Sequence, residues 1–423
     1  MTSREKIHAA LNHQSGPVAV DFGSTPVTGI HVSCIQALRK HYGLPDHPVK
    51  VQEPYQMLGE IGDDLKQALG ADVIGVSGRA TIFGYLGENY REWRAPWGQD
   101  LLVPEHFITT PAPDGGLHTY PNGEISAGAS GHMPANGYFF DALIRQQPLD
   151  ENNLDPRDNC EEFQPLSPED IDHWKRTLAS VSTANRATPA AAATPAAADR
   201  ADRAVTANPG GTAFGDIALV PGIGLNNPKG IRDISEWYIT LVERPDYIQA
   251  IFSRECEIAL QNLATLHAIA GDAIDVLYVC GADFGTQTSQ FCSPATFDTL
   301  YAPWYKRIND WIHTRTNWKT FKHTCGAIVP LIPNLIAAGF DILNPVQCSA
   351  TGMDPAYLKR EFGKDIVFWG GGVDTQKTLP FGTPREVREQ VTERLKIFSP
   401  DGGFVFNTVH NIQALTPVEN IAA

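Results

Sequence analysis

Residues Asp275–Gly281 read DVLYVCG, an unbroken apolar run closed by glycine. A strand with one face in water alternates apolar and polar residues. A continuous run therefore predicts a strand buried on both faces, as in a parallel sheet covered by helices. Runs of this kind recur in both directions along the chain. Pro17–Gly23 (PVAVDFG), Asp72–Gly78 (DVIGVSG) and Phe214–Val220 (FGDIALV) precede it. Lys319–Gly326 (KTFKHTCG), Asp341–Val346 (DILNPV), Ile366–Asp374 (IVFWGGGVD) and Phe404–His410 (FVFNTVH) follow it. Between them lie stretches such as Pro384–Phe398 with apolar residues at helical spacing. A doubly wound open sheet has a similar rhythm, but no Gly-rich phosphate turn follows the first run. A count of eight units predicts a closed (β/α)8 TIM barrel, read as one domain over residues 1–423.

Two segments break the rhythm. From Trp93 to Ala127, the turns Asp114-Gly115-Gly116 and Pro121-Asn122-Gly123 sit between β-prone stretches and predict an inserted β-hairpin or meander, packed by Trp93 and Trp97. Residues 179–213 are dominated by Ala, Thr and Pro with almost no large apolar side chain, which predicts a flexible surface insertion.

The composition, 42% apolar and 19% charged, excludes a disordered or fibrous chain. With 33 Lys+Arg against 48 Asp+Glu, the formal net charge is −15 and there is no basic run, so nucleic acid and anionic membranes are poor partners. No window approaches the ~20 apolar residues of a membrane helix. Residues 1–11 carry a helix-start signal, Thr2 with Glu5, in place of a secretion leader. The seven cysteines are scattered, and a reducing cytoplasm is the expected compartment. A homodimer is compatible with these numbers, which do not select an oligomeric state.

A parallel barrel builds its active site at the C-terminal ends of its strands. The polar groups ending the runs are Asp21; Cys280 with Asp283 and Gln287 beyond it; His323 and Cys325; Asn344, Gln347 and Cys348; Asp374; and Asn407 with His410. His323 and Cys325, two apart on a strand, point to the same side, and an imidazole beside a thiolate is two-thirds of a catalytic zinc site. Cys348 and His410 are both placed to supply a third ligand. Asp283 and Asp374 are the candidate catalytic carboxylates, with Asp21, Asn344, Gln347 and Gln287 as candidate substrate contacts. The competing reading makes Asp283 and Asp374 caps for the next helix or ties for a turn. Cys280 and Cys292 read as packing residues.

The segments TSREKIHAALNHQ, GADVIGV, REWRAPWG, GADFGTQ, SPATFDTLYAPWYKRI, FKHTCG and LTPVENI, in that order, resemble the uroporphyrinogen decarboxylase superfamily over nearly the whole chain outside the low-complexity insertion. The resemblance implies the same barrel. It also implies a choice between two chemistries. True uroporphyrinogen decarboxylases carry an Arg-rich motif after the first strand; here Asp21-Phe22-Gly23-Ser24-Thr25-Pro26 stands there, with no arginine before Arg39. The cobamide-dependent methyltransferases, which pass a methyl group from a methylcorrinoid protein to a thiol, use a His-x-Cys pair and a later Cys as zinc ligands. His323 and Cys325 match the pair, and His410 stands where the later cysteine is expected, with Cys348 as the weaker alternative. The resemblance thus implies a zinc-dependent methyltransferase whose methyl donor is a corrinoid on a separate partner protein and whose acceptor is a small molecule. A carboxy-lyase acting on a porphyrinogen or a related acid, and a non-catalytic ligand-binding barrel, are the alternatives.

Overall fold

The computed structural model describes residues 1–150, 153–186 and 202–423. Eight strands form one sheet: β1 (Ala19–Val20), β2 (Val73–Ser77), β3 (Ala204–Asn208), β4 (Val276–Cys280), β5 (Lys319–His323), β6 (Ile342–Asn344), β7 (Val367–Trp369) and β8 (Phe404–Phe406). Every paired neighbour is parallel, and the order runs β1-β8-β7-β6-β5-β4-β3-β2. At the seam between β1 and β2, Asp72 N–H donates to Val20 O (2.8 Å), and Val20 N–H donates to the Asp72 carboxylate (3.0 Å). The sheet is therefore a (β/α)8 barrel. Its interior is filled by side chains from all eight strands, among them Val73, Val276, Phe321, Ile342, Trp369 and Val405. A larger apolar layer packs the sheet against the outer helices, such as Pro245–Ala270.

Seven strands lie in the predicted runs, but the third does not. Ala204–Asn208 is the barrel strand, while Phe214–Val220 forms turns. Ala204–Thr206 and Ala207 are buried with small side chains, which a narrow barrel accepts and which carry little apolar signal. Phe214 supplied that signal, yet it packs from a turn onto Phe252 and Tyr305. The strand lies inside the segment read as a flexible insertion, and that segment's first residues continue the helix Pro168–Arg186. The rest of the segment, 187–201, lies outside the described residues.

The predicted hairpin is part of something larger. One four-stranded sheet joins Leu58–Gly59, Val49–Glu53, Asp100–Val103 and Arg91–Arg94, and another joins Asp141–Ala142, Gly131–Met133, Leu117–Thr119 and Thr109–Pro111. Trp93, Trp97, Phe83, Tyr85, Phe107 and Phe140 form their core. Strands this short show too little alternation to be seen in the sequence.

The N-terminal end of the barrel is closed by the helix Ser3–Leu11, which starts with the predicted capping box of Thr2 and Glu5. Three aspartates repeat one device there. Asp72, Asp275 and Asp341 each directly precede an even-numbered strand, and their carboxylates accept from Val20 N–H, Val205 N–H and Thr320 N–H of the preceding strand. Each also meets a basic side chain: Lys6 on Asp72 (2.9 Å), Arg4 and His8 on Asp275 (3.0 and 2.6 Å), Lys319 and His313 on Asp341 (3.2 and 2.8 Å). Burial favours the neutral form of Asp275, but hydrogen bonds from His8, Arg4 and Val205 outweigh it and hold the group below the usual carboxylate range. No described helix is long and apolar enough to cross a membrane.

Candidate metal centre

At the opposite end, β5 delivers His323 and the turn beyond it delivers Cys325, with Nε2 to Sγ at 3.4 Å. His410, after β8, brings its ring to 5.3 Å from the His323 ring in an edge-on arrangement. The ligand atoms of His323, Cys325 and His410 all lie within 4.8 Å of one another, and they form the one such group among the described residues.

Register fixes the imidazole. His323 and Asn344 are direct partners across β5 and β6. Asn344 Nδ2 donates to Trp369 O (2.7 Å), so its Oδ1 must be the atom facing His323 Nδ1 at 2.5 Å. That makes Nδ1 the protonated nitrogen and leaves the Nε2 lone pair directed at Cys325, the arrangement by which an outer hydrogen bond orients a metal-binding histidine.

Glycine makes the turn possible. Gly326 has φ +91°, and a Cβ there would collide with the Gly285 backbone and stand 2.5 Å from Thr286 O. Asp283, from the loop after β4, accepts from Cys325 N–H (2.7 Å) and stands 3.6 Å from His323 Nε2. Gln347 Oε1 accepts from Gly326 N–H (2.9 Å), and its Nε2 donates to Gln287 Oε1 (3.0 Å). Thus Asp283, Gln347 and Gln287 hold the ligand-bearing turn.

Protonation follows from burial. Desolvation lowers His410 to about 4, with His323 adding to the effect, and lowers His323 itself, against the pull of Asp283. Both imidazoles are therefore neutral at physiological pH, with lone pairs free to ligate. Burial and then the Asp283 charge push the Cys325 thiol well above its ordinary value, so only a cation in the cluster makes the thiolate favourable.

Other residues named from the sequence sit differently. Cys348 is not in the cluster: its thiol donates to Val346 O (3.3 Å), and the charges around it are Arg394, Asp354 and Asp374. Asp374, read as a catalytic carboxylate, accepts from Gln376 N–H and Lys377 N–H and so caps its own turn. Asp21, read as a substrate contact, is fully buried, accepts from Ser24 N–H, Ser24 Oγ and Trp369 Nε1, and ties β1 to β7. Asn344, also read as a substrate contact, is fully buried between His323 and Trp369. Cys280 is buried with its sulfur against Tyr305 Oη (2.8 Å), as a packing residue would be.

Two features escaped the sequence reading. Lys322 is completely buried, and its ammonium donates to Cys280 Sγ (3.3 Å), Ala282 O (2.5 Å) and His323 O (2.6 Å), pinning the loop that carries Asp283 to the strand that carries His323. A lone lysine inside a buried run was the available signal. Asp216 comes from the turn after β3 to the same rim, and it was hidden because that turn was read as a strand.

The comparisons with known proteins agree with this architecture. Residues 227–423, which include β4 to β8, Asp283 and all three members of the cluster, match the uroporphyrinogen decarboxylase (URO-D) family. No curated protein matches the sequence. Among solved structures, a methyltransferase from Methanosarcina mazei shares the fold, with TM-score 0.53 and 13% identity over 100% of this chain and 96% of that one. Over residues 227–423 the chain is thus similar to the uroporphyrinogen decarboxylase (URO-D) family, and those residues supply five strands of the eight-stranded barrel.

Proposed function

We propose that the protein is a zinc-dependent methyltransferase, moving a methyl group from a methylcorrinoid on a separate protein to a small-molecule thiol or another nucleophile. The observation that carries this reading is the His323, Cys325 and His410 cluster, with ligand atoms within 4.8 Å at the catalytic end of the barrel. The donor set fits zinc: one sulfur and two neutral imidazole nitrogens from three fixed positions match a catalytic site that keeps a fourth position open. The resemblance of FKHTCG to the methyltransferase branch and the shared fold with a methyltransferase support the direction of the chemistry.

Zinc bound there supplies Lewis acidity, which lowers the acceptor's pKa so that a nucleophile exists at neutral pH. The protein's residues do the rest. Asn344 keeps the His323 Nε2 lone pair pointed inward. Cys325 is held by its backbone on Asp283, whose side chain is one-third exposed and stands closest to the cluster, so Asp283 takes the proton released by the acceptor and passes it to water. Gln347 and Gln287 keep the Cys325–Gly326 turn from relaxing.

The test is metal analysis of protein purified without added metal, followed by transfer from methylcobalamin to a panel of thiols. About one zinc per chain is expected, lost in His323→Ala, Cys325→Ser and His410→Ala, with methyl transfer abolished in Cys325→Ser. Full transfer by a zinc-free Cys325→Ser protein of wild-type stability would overturn the reading.

A further inference from the structure

Beside the cluster lies a second constellation that metal binding does not use. Asp216 Oδ1 accepts from Ala218 N–H (3.0 Å), and Oδ2 has no hydrogen-bond partner among the described residues. Tyr278, on β4, stacks its ring at a tilt against Phe321 in the barrel interior (5.5 Å) and is 9% exposed, and its hydroxyl is likewise without a partner among the described residues. Both oxygens face one spot: a Cβ added to Gly281 would overlap Tyr278 Oη and stand 3.1 Å from Asp216 Oδ2. Glycine keeps that spot open, and two residues further along the same loop Asp283 borders the metal cluster.

The charge of this place is one-sided. Asp216 and Asp283 are close enough that Asp283 adds to the burial that raises Asp216 to about 6, and both oppose ionisation of Tyr278. The cation within reach, Lys322, is fully buried and directs its ammonium at Cys280 Sγ, Ala282 O and His323 O. An anion entering here meets carboxylates and, among the described residues, no free cation. A group with N–H donors and a positive charge finds two oxygen acceptors that no described residue uses, and hydrogen bonds between a charged donor and a carboxylate are the stronger kind.

We infer that Asp216, Tyr278 and the gap over Gly281 form the subsite for the polar head of the small-molecule substrate, and that this head is an ammonium or protonated amine, not a carboxylate, sulfonate or phosphate. Asp216 Oδ2 and Tyr278 Oη each accept one N–H of the head, leaving the rest of the molecule to reach past Asp283 toward Cys325. The inference rests on the proposed metal-site reading for where the reacting end lies, but not for the charge preference itself.

The test is calorimetric titration of the intact protein with three thiols of similar size: 2-aminoethanethiol, 2-mercaptoethanol and 3-mercaptopropionate. The aminothiol is expected to bind at least tenfold tighter than the acid. Asp216→Asn should bring the two within about twofold, and Tyr278→Phe should weaken the aminothiol severalfold while leaving 2-mercaptoethanol nearly unchanged. Equal or tighter binding of 3-mercaptopropionate by the wild type, a comparison that needs no variant, overturns the proposal, as does an undiminished preference in folded Asp216→Asn. Propylammonium against propionate, titrated into the Cys325→Ser protein, separates the two readings. A retained preference for the amine with no zinc in the wild type sinks the metal proposal and leaves this subsite; normal zinc with no charge preference sinks the subsite alone.

Discussion

Asn344 decides which nitrogen of His323 is free, although it touches neither solvent nor a substrate position. Asn344→Leu keeps the volume and removes the acceptor for Nδ1–H. The expected result is a roughly 10–100-fold loss of zinc affinity in a chelator competition with the fold unchanged, the usual size of an outer-sphere effect; unaltered affinity would show that Nε2 stays available without the lock. His31 makes a prediction that does not involve the cluster. Burial holds it down to about 4, with Nδ1 accepting from Ser33 N–H and Nε2 donating to Tyr138 O. The unfolded chain, with an ordinary imidazole, takes up the proton first as the pH falls. The folded state therefore loses stability from about pH 6.5 down to about pH 4, on the order of 3 kcal/mol in total. His31→Gln is expected to flatten that part of the denaturation profile, and an equally steep acid loss in the variant would contradict the assignment. At this scale the sequence pointed to His323 and Cys325 as neighbours, and they do meet at 3.4 Å, although the strand stops at His323 and it is the turn beyond it that brings Cys325 back. It misassigned Asn344 and Asp21 because a residue at a strand end can turn inward or sideways, and only strand register decides which.

The aspartates ahead of β2, β4 and β6 do at the closed end of the barrel what ladder hydrogen bonds do along it, stitching each even strand to its odd predecessor. Asp275 gathers Arg4, His8 and Val205 N–H on one carboxylate. Asp275→Asn keeps the shape and removes the charge, and it is expected to cost roughly 2 kcal/mol in chemical denaturation, as for hydrogen bonds to a charged group. A change below about 0.5 kcal/mol would place Asp275 among the weak surface pairs. These same elements show what the sequence conveyed about the fold. DVIGVSG, DVLYVCG and DILNPV announced their strands through long β-branched runs, and the aspartate was part of each quoted segment. Ala204–Asn208 did not, since a strand built of AVTAN next to an Ala/Thr/Pro-rich stretch has no apolar contrast. That one displacement concealed the turn bearing Asp216. The two small sheets were half seen for a related reason: their turns stand out, while strands of two to five residues do not.

For the molecule as a whole, the His323, Cys325 and His410 group stands at the rim and the apolar core lies beneath it. The barrel interior and the helix layer are closed by apolar side chains such as Val276, Phe321, Trp369 and Phe252. Removing zinc with a chelator is therefore expected to leave the far-ultraviolet circular dichroism unchanged. Saturating zinc should raise the midpoint of thermal unfolding, the folded state gaining an amount of free energy set by mass action, about 2.7 kcal/mol at a hundredfold excess over Kd. Loss of helical signal on chelation would mean that the metal organises the fold and not only its rim.

The strand order has a bearing on biosynthesis. β1 forms its ladder with β8 alone, Ala19 against Val405 and Val20 against Phe406, and the Arg4 side chain finds Asp275 across 271 positions of sequence. On a translating ribosome Ala19–Val20 emerges long before its ladder partner, and the ring cannot shut until Phe404–Phe406 has cleared the exit tunnel. The β1 edge stays without its ladder partner while residues 21–403 are made, and an unpaired strand edge in that interval is a template for wrong pairing.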